Sequence, residues 1–299
     1  MFDHDLDAVV LRRVMALRHF ALLDDVELAE LATLAQNVSE TTLVPGARVP
    51  ATPEAVHFVL AGSIEAPGAR PSVAGEVFGA LELWANRPLP ADARAVGPTR
   101  TLCLAAEDMF EVLDDNIGLL RACVRAIAAI GVTRAPRDPG ERSLVIASPL
   151  GLVERLQLLR RQAPLARARI RALTRLAHVS HELTWPAGTI VVRGGEPATS
   201  SYVVVDGSVR SSARGDAVFA GGEFGLLETL AGRAHVDTFE AAAPLRVLAS
   251  SQAALLDVLD DHSDLGFAVL AALAGDLLDQ RPAWARPNTR VLTSSTTTR

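Results

Sequence analysis

The chain contains no lysine: all 29 of its basic residues are arginine, set against 35 acidic ones for a formal net charge of −6. No local chemistry demands this, and it reads as the bias of a GC-rich bacterial genome, in keeping with the abundance of Ala, Leu, Gly and Asp. Non-specific nucleic-acid binding rests on neutralising phosphates, so an acidic chain without lysine is a poor candidate for it. Aromatic residues make up only 4 %, with a single tyrosine, too few for a base-stacking surface. Only two cysteines occur, Cys103 and Cys123. Lacking a close Cys pair or His companions at ligand spacing, they are expected to be small core residues, and no metal is expected. Long apolar runs are missing too, since stretches such as Ala126–Val132 and Phe267–Ala274 are too short to span a bilayer. The N-terminal stretch begins acidic and reaches its arginines only afterwards, the reverse of a signal peptide. A soluble, cytoplasmic protein is expected.

What is present is a repeat. The 299 residues, 49 % hydrophobic, leave room for two cores. The pattern Leu22-Leu23, Leu28, Leu31, Leu34, Ala35 returns as Pro164-Leu165, Ile170, Leu173, Leu176, Ala177 at an offset of 142. Leu43-Val-Pro-Gly46 is echoed by Trp185-Pro-Ala-Gly188, and Val56–Ile64 by Ser201–Val209 at an offset of 145. Val77-Phe78-Gly79 then matches Glu223-Phe224-Gly225, and Val112–Asp115 matches Val258–Asp261, both at 146. Five blocks recurring in one order imply a duplicated unit, far longer than a solenoid repeat, so each copy should be a domain. The expected division is a first domain over 1–132, a Pro- and charge-rich linker over 133–149, a second domain over 150–281 and an extended or disordered tail over 282–299. Val145–Ser148, in the linker, reads equally as an extra strand or a spacer.

Within each copy, apolar spacing predicts a helix from Asp24, as N-cap, to Gln36, with a counterpart over about Leu165–Val179. Short β-branched runs follow, punctuated by Gly and Pro. Thr189–Arg193, Ser201–Val205 and Ser208–Ser211 read as strands, with turns at Gly194–Pro197 and Asp206-Gly207, the latter a hairpin signal. One long apolar helix closes each copy, over about Ala106–Val132 and Gln252–Gln280. The two closing helices are apolar over more than one face. They either pack on each other, form an intermolecular interface, or are buried each within its own domain.

The run Gly188–Val209 followed by Gly221-Gly-Glu-Phe-Gly225 resembles the cyclic-nucleotide-binding domain of catabolite-activator-type regulators, and Gly46, Phe58–Ile64 and Gly75–Gly79 show the same skeleton in the first copy. The resemblance implies an α+β fold: two tandem antiparallel β-roll (jelly-roll-like) domains, each flanked by helices. It also implies where a cyclic phosphate would sit, on a Phe-Gly-Glu cassette with an Arg about ten residues later. Such an anion wants a bidentate cation and a helix N-terminus. Here Phe224-Gly225 and Phe78-Gly79 are kept. The Glu positions hold Leu226 and Ala80, His235 stands in one Arg position, and Leu89 or Pro90 in the other. Glu228, Thr229 and Arg233 in the second copy, and Glu82 and Arg87 in the first, mark a vestigial or shifted cassette. A shift of two residues along a helix is a rotation of about 200°, enough to reverse a side chain's face. Asp237 would repel a phosphate. Neither copy is therefore expected to bind cyclic AMP or cyclic GMP in the family's usual way, and no cofactor is expected.

The remaining constellations are weaker. His178 and His181 beside Glu182 have a ligand-like spacing without further companions, and read as a surface pair. Ser180 lacks a Gly-x-Ser-x-Gly elbow, and with no nucleophile–base pair anywhere, no catalytic residue is assigned. Arg167, Arg169, Arg171 and Arg175 form an arginine-rich face, either solvated or meeting an acidic partner. No helix-turn-helix follows the second roll, so no DNA is expected. The expectation is a non-enzymatic regulatory or scaffolding protein acting through protein contacts or self-association, including a homodimer through the closing helices. The alternative is a cyclic-nucleotide or small-anion sensor that uses the shifted cassette to regulate a separate effector.

Overall fold

The computed structural model of the chain describes residues 3–24, 26–132, 149–213 and 215–280. In the first half, α1 (Asp3–Leu17) and α2 (Leu28–Asn37) lead into β1 (Ser39–Leu43), β2 (Arg48–Val49), β3 (Ala55–Ala61), β4 (Ser63–Glu65), β5 (Ser72–Val73) and β6 (Val77–Phe78). After the short helix α3 (Ala80–Trp84) come β7 (Ala93–Ala95), β8 (Thr99–Ala105), α4 (Ala106–Asp115) and α5 (Ile117–Val132). The second half repeats the order. It runs α6 (Leu152–Arg161), α7 (Ile170–Val179), β9 (His181–Trp185), β10 (Ile190–Val192), β11 (Ser200–Asp206), β12 (Ser208–Ser211), β13 (Ala217–Phe219) and β14 (Glu223–Phe224). Then follow α8 (Leu226–Ala231), β15 (Phe239–Ala241), β16 (Leu245–Ser251), α9 (Gln252–Asp261) and α10 (Ser263–Asp279). The expected linker, apart from Pro149, and the expected tail lie outside the described residues, as does Val145–Ser148.

Each half pairs its eight strands into two antiparallel sheets of four. The orders are β1-β8-β3-β6 and β2-β7-β4-β5 in the first, β9-β16-β11-β14 and β10-β15-β12-β13 in the second. The fold is α+β with two β-rolls of one topology, strand for strand. The apolar runs at the roll centres are explained by burial on both faces. In β11, Val203 and Val205 face the helices while Val204 faces the roll interior with Val209 and Phe224. In β3, Val56 and Phe58 likewise face the helices, and Val59 turns inward.

Three local expectations are corrected. The Asp206-Gly207 pair makes no hairpin, because β11 and β12 belong to different sheets. It is a corner where the chain crosses from one sheet to the next, and Gly62 is the same corner between β3 and β4. Asp24 is not an N-cap: it ends a 3-10 turn, Ala21–Leu23, and the helix starts at Leu28 behind Glu27. The Glu27 amide donates to Glu30 Oε2 at 3.3 Å. The buried Val26, between the 3-10 turn and the helix, imitates helical spacing. In the second copy the corresponding 3-10 turn is Ala163–Leu165 and the helix starts only at Ile170.

Finally, each closing helix is two helices. Asn116 (φ −128°, ψ 84°) and His262 (φ −141°, ψ 81°) leave the helical region. At the first break, Asn116 Nδ2 donates back to the Val112 carbonyl at 2.8 Å. These breaks redirect α5 and α10 away from their own rolls, and each helix then packs on the short helix of the opposite copy: α5 on α8, α10 on α3, and α5 and α10 on one another. A Cβ on Gly266 would come within 2.7 Å of Leu120 Cδ2, so the glycine permits the close crossing of α10 and α5. Phe110 meets Phe267 at 6.0 Å between ring centroids, Ser263 Oγ donates to Asp114 at 2.7 Å, and Arg121 pairs with Asp260 at 3.1 Å. Of the three packing arrangements the sequence allowed, the two copies pack on each other within one chain. One apolar cluster runs through the helices of both copies, with a smaller one inside each roll.

Candidate functional site

The two cassettes fold alike. Phe78 and Phe224 end β6 and β14 and point into their rolls, 7 % and 4 % exposed. Gly79 (φ 87°) and Gly225 (φ 78°) then turn the chain into α3 and α8. A Cβ at Gly225 would lie 3.1 Å from His235 Cε1 and 3.3 Å from the Ser200 carbonyl oxygen. The glycine is therefore needed both for its dihedrals and for its size.

The cations of the shifted cassette do not converge on either roll. Arg87 reaches away from its own roll to α10, donating to Asp279 Oδ1 at 2.8 Å and to the Gly275 carbonyl at 3.4 Å. It ties the first copy's cassette loop to the second copy's closing helix. Because the pair is largely solvated, Arg87→Ala is expected to lower stability by no more than about 1 kcal/mol, as read by urea unfolding. Arg233 is exposed, and its amide donates to the Glu228 carbonyl at 3.0 Å. Glu82 is buried on α3, whereas Glu228 is half-buried on α8.

In the second roll, Thr229, His235 and Asp237 are all buried. His235 is 5 % exposed with Nδ1 unbonded, and burial pushes its pKa down against the pull of Glu228 and Glu196, so the ring favours its neutral form. The Thr229 hydroxyl is also buried without a bonding partner, while its carbonyl accepts from Gln252 Nε2 at 2.7 Å. Asp237, 4 % exposed, accepts from the Ser211 hydroxyl, from the Ala213 amide at 2.9 Å and from the Thr238 amide at 2.7 Å. In the roll's apolar cluster, Tyr202 stacks on Phe224 and Phe224 meets Phe239 at a tilt of 32°, both at 4.9 Å between ring centroids.

The first roll holds a cavity of about 210 Å³ lined by Leu43, Val49, Pro50, Phe78 and Leu89, with Arg48, Glu54 and His57 as its polar members. His57 is 8 % exposed, with Nδ1 3.3 Å from Thr101 Oγ1, and burial lowers its pKa. Arg48 is paired with Asp92. The Ala51 amide, first, and then Arg48 hold the Asp92 carboxyl below the usual range. His57, Arg48 and Asp92 belong to no motif in the sequence. One signal was legible: His57 is the single polar residue inside the apolar run Val56–Leu60.

With this geometry in view, the chain can be set beside known proteins. It is similar to regulatory domains of protein kinase A and to the sensor domain of a transcriptional regulator. One is the regulatory domain of Toxoplasma gondii protein kinase A with cyclic AMP, at 15 % identity and a TM-score of 0.35, covering 91 % of this chain and 98 % of that one. Another is the regulatory subunit of a cyclic-AMP-independent protein kinase A from Trypanosoma brucei, at 16 % and 0.35, covering 85 % and 91 %. A third is the sensor domain of the transcriptional regulator DNR from Pseudomonas aeruginosa, at 25 % and 0.37, covering 43 % of this chain and 94 % of that one. No family model matches the chain, and no curated protein does. None of these likenesses assigns a ligand to a residue here.

The weaker constellations resolve into structure. His178 Nδ1 lies 2.7 Å from the Thr174 carbonyl. Glu182 accepts from the Leu150 amide at 2.8 Å and pairs with Arg155 at 3.3 Å and Arg246 at 3.8 Å, fastening α6 to β9. Among the described residues no group of His, Cys, Asp and Glu could hold a metal ion, and no helix is long and apolar enough to cross a membrane. Cys103 and Cys123 are free thiols, and burial pushes Cys123 up to about 12, so it stays protonated and inert.

Proposed function

We propose that this chain is a non-enzymatic, cytoplasmic regulatory or scaffolding protein. Its two domains, 1–132 and 150–281, have given up the ordinary binding of cyclic AMP and cyclic GMP and act through protein contacts. The observation that carries the reading is electrostatic. The one guanidinium at the first roll's cavity, Arg48, is already held by Asp92, and the cavity also presents Glu54 and a histidine that burial keeps neutral. The second roll presents the buried carboxylate Asp237. A cyclic phosphate entering the first roll's cavity would give up its hydration without gaining a free cation among the described residues, and desolvated anions without partners are costly.

The packing of the copies supports the same reading. Arg87 is committed to the opposite copy, and both short cassette helices are covered by closing helices, which leaves Arg233 as the remaining cation of a shifted cassette. Calorimetric titration of the full chain with cyclic AMP and cyclic GMP is expected to show no saturable binding tighter than about 1 mM. Saturable micromolar binding that disappears in Arg233→Ala would establish the sensor instead.

A further inference from the structure

The duplication allows the two leading faces to be compared position by position, and they are opposites. Leu28 begins α2 and Ile170 begins α7 at the same place in each copy, and both apolar side chains stand in solvent, 58 % and 52 % exposed. Around Leu28 lie exposed Asp24 and Glu27; around Ile170 lie exposed Arg167, Arg169 and Arg171. The N-cap position itself is Glu27 in one copy and Arg169 in the other. A helix N-terminus favours negative charge, so the arginines are not there to stabilise α7. Among the described residues, Arg169 pairs only with Asp264, at 3.8 Å, and neither Arg167 nor Arg171 forms an ion pair.

We propose that the two faces are the halves of one contact: the Leu28 face of one chain docks on the Ile170 face of a second copy of this chain. Charge complementarity picks the partner, since each face repels its own kind and matches the other. The contact joins α2 of one molecule to α7 of the next. The second pair of faces either closes a reciprocal two-fold dimer or, left open, extends a head-to-tail chain. The proposal is independent of the function proposed above, because a nucleotide-binding protein could carry the same two faces.

Sedimentation of the full chain over a concentration series tests it. Association is expected at 50 mM salt, weakened at least about tenfold at 500 mM. A variant with Asp24→Arg and Glu27→Arg has two basic faces and should remain monomeric. One with Arg169→Glu and Arg171→Glu has two acidic faces and should remain monomeric too. Mixed one to one, the two should associate again, a result that misfolding of either could not produce. Wild-type chain that stays monomeric up to about 300 µM overturns the proposal, as does association that survives in either variant or fails to return on mixing. Monomeric wild type that binds a Leu-containing Asp/Glu peptide would also overturn it, assigning the arginine face to a separate acidic protein.

Discussion

Replacing Gly207 by alanine is expected to remove roughly 3–5 kcal/mol from the second roll's stability. Gly207 (φ 82°) turns the corner between β11 and β12, a left-handed conformation that costs a residue with a Cβ about 1–2 kcal/mol by itself. The larger share comes from crowding. The added Cβ would fall on the Pro244 carbonyl oxygen and 3.1 Å from Leu245 Cα, both backbone atoms at the start of β16. Neither can rotate aside, so the corner must open and shift β16, which lies at the centre of its sheet between β9 and β11. Gly62 makes the same corner in the first copy, where a Cβ would meet the Pro98 oxygen at 2.5 Å and Thr99 Cα at 2.8 Å. Gly62→Ala should therefore cost as much. Gly188 (φ 80°) supplies the control, having nothing within 4 Å of its Cβ position, so that Gly188→Ala should cost only about 1–2 kcal/mol. Urea midpoints of the three variants decide the matter. Equal losses at Gly207 and Gly188 would mean that the close approach contributes nothing.

That corner also marks the boundary between what the sequence disclosed and what it withheld. Gly207 was legible as a turn, because Asp-Gly between β-branched runs is a local signal. Which sheets the flanking strands join is decided by pairings with β16 and β15, 28 to 51 residues away, and the hairpin reading failed there. The helices were legible from apolar spacing within a short window, the repeat from blocks that recur in one order, and the β-rolls from the resemblance carried by Gly188–Val209 and Gly221–Gly225. The breaks at Asn116 and His262 were not. Neither residue is forbidden in a helix, and the reason for turning there is the opposite copy, onto which α5 and α10 then pack. The same applies to the candidate site. That Ala80 and Leu226 follow the two Phe-Gly pairs could be read from two short motifs, but Arg87 finds its partner 192 residues later, at Asp279. The cavity beside His57 is built by β1, β2, β3 and β6 together, and no one of them announces it.

Glu223 should make the protein more stable in mild acid than in mild base. It sits in β14 opposite Val203, where the first copy has the apolar Val77. Burial, then the carboxylates of Glu228 on α8 and Asp276 on α10, push its pKa from 4.5 up to about 7. The folded state therefore holds this proton more tightly than the unfolded chain does. The resulting contribution to stability is fully present below about pH 4.5 and is lost as the pH rises through 7. Above that pH the folded protein carries a poorly solvated charge facing two others of the same sign, a penalty of up to about 3 kcal/mol. Glu223→Gln keeps the shape and removes the charge. Its unfolding free energy should match that of the wild type near pH 4.5 and exceed it by up to about 3 kcal/mol at pH 8. Parallel stability curves for the two proteins across that range would show that Glu223 is not held protonated by its surroundings. Convergence in acid with divergence in base would place the titrating group at the junction of α8 and α10, where the second roll meets the helices that join the two copies.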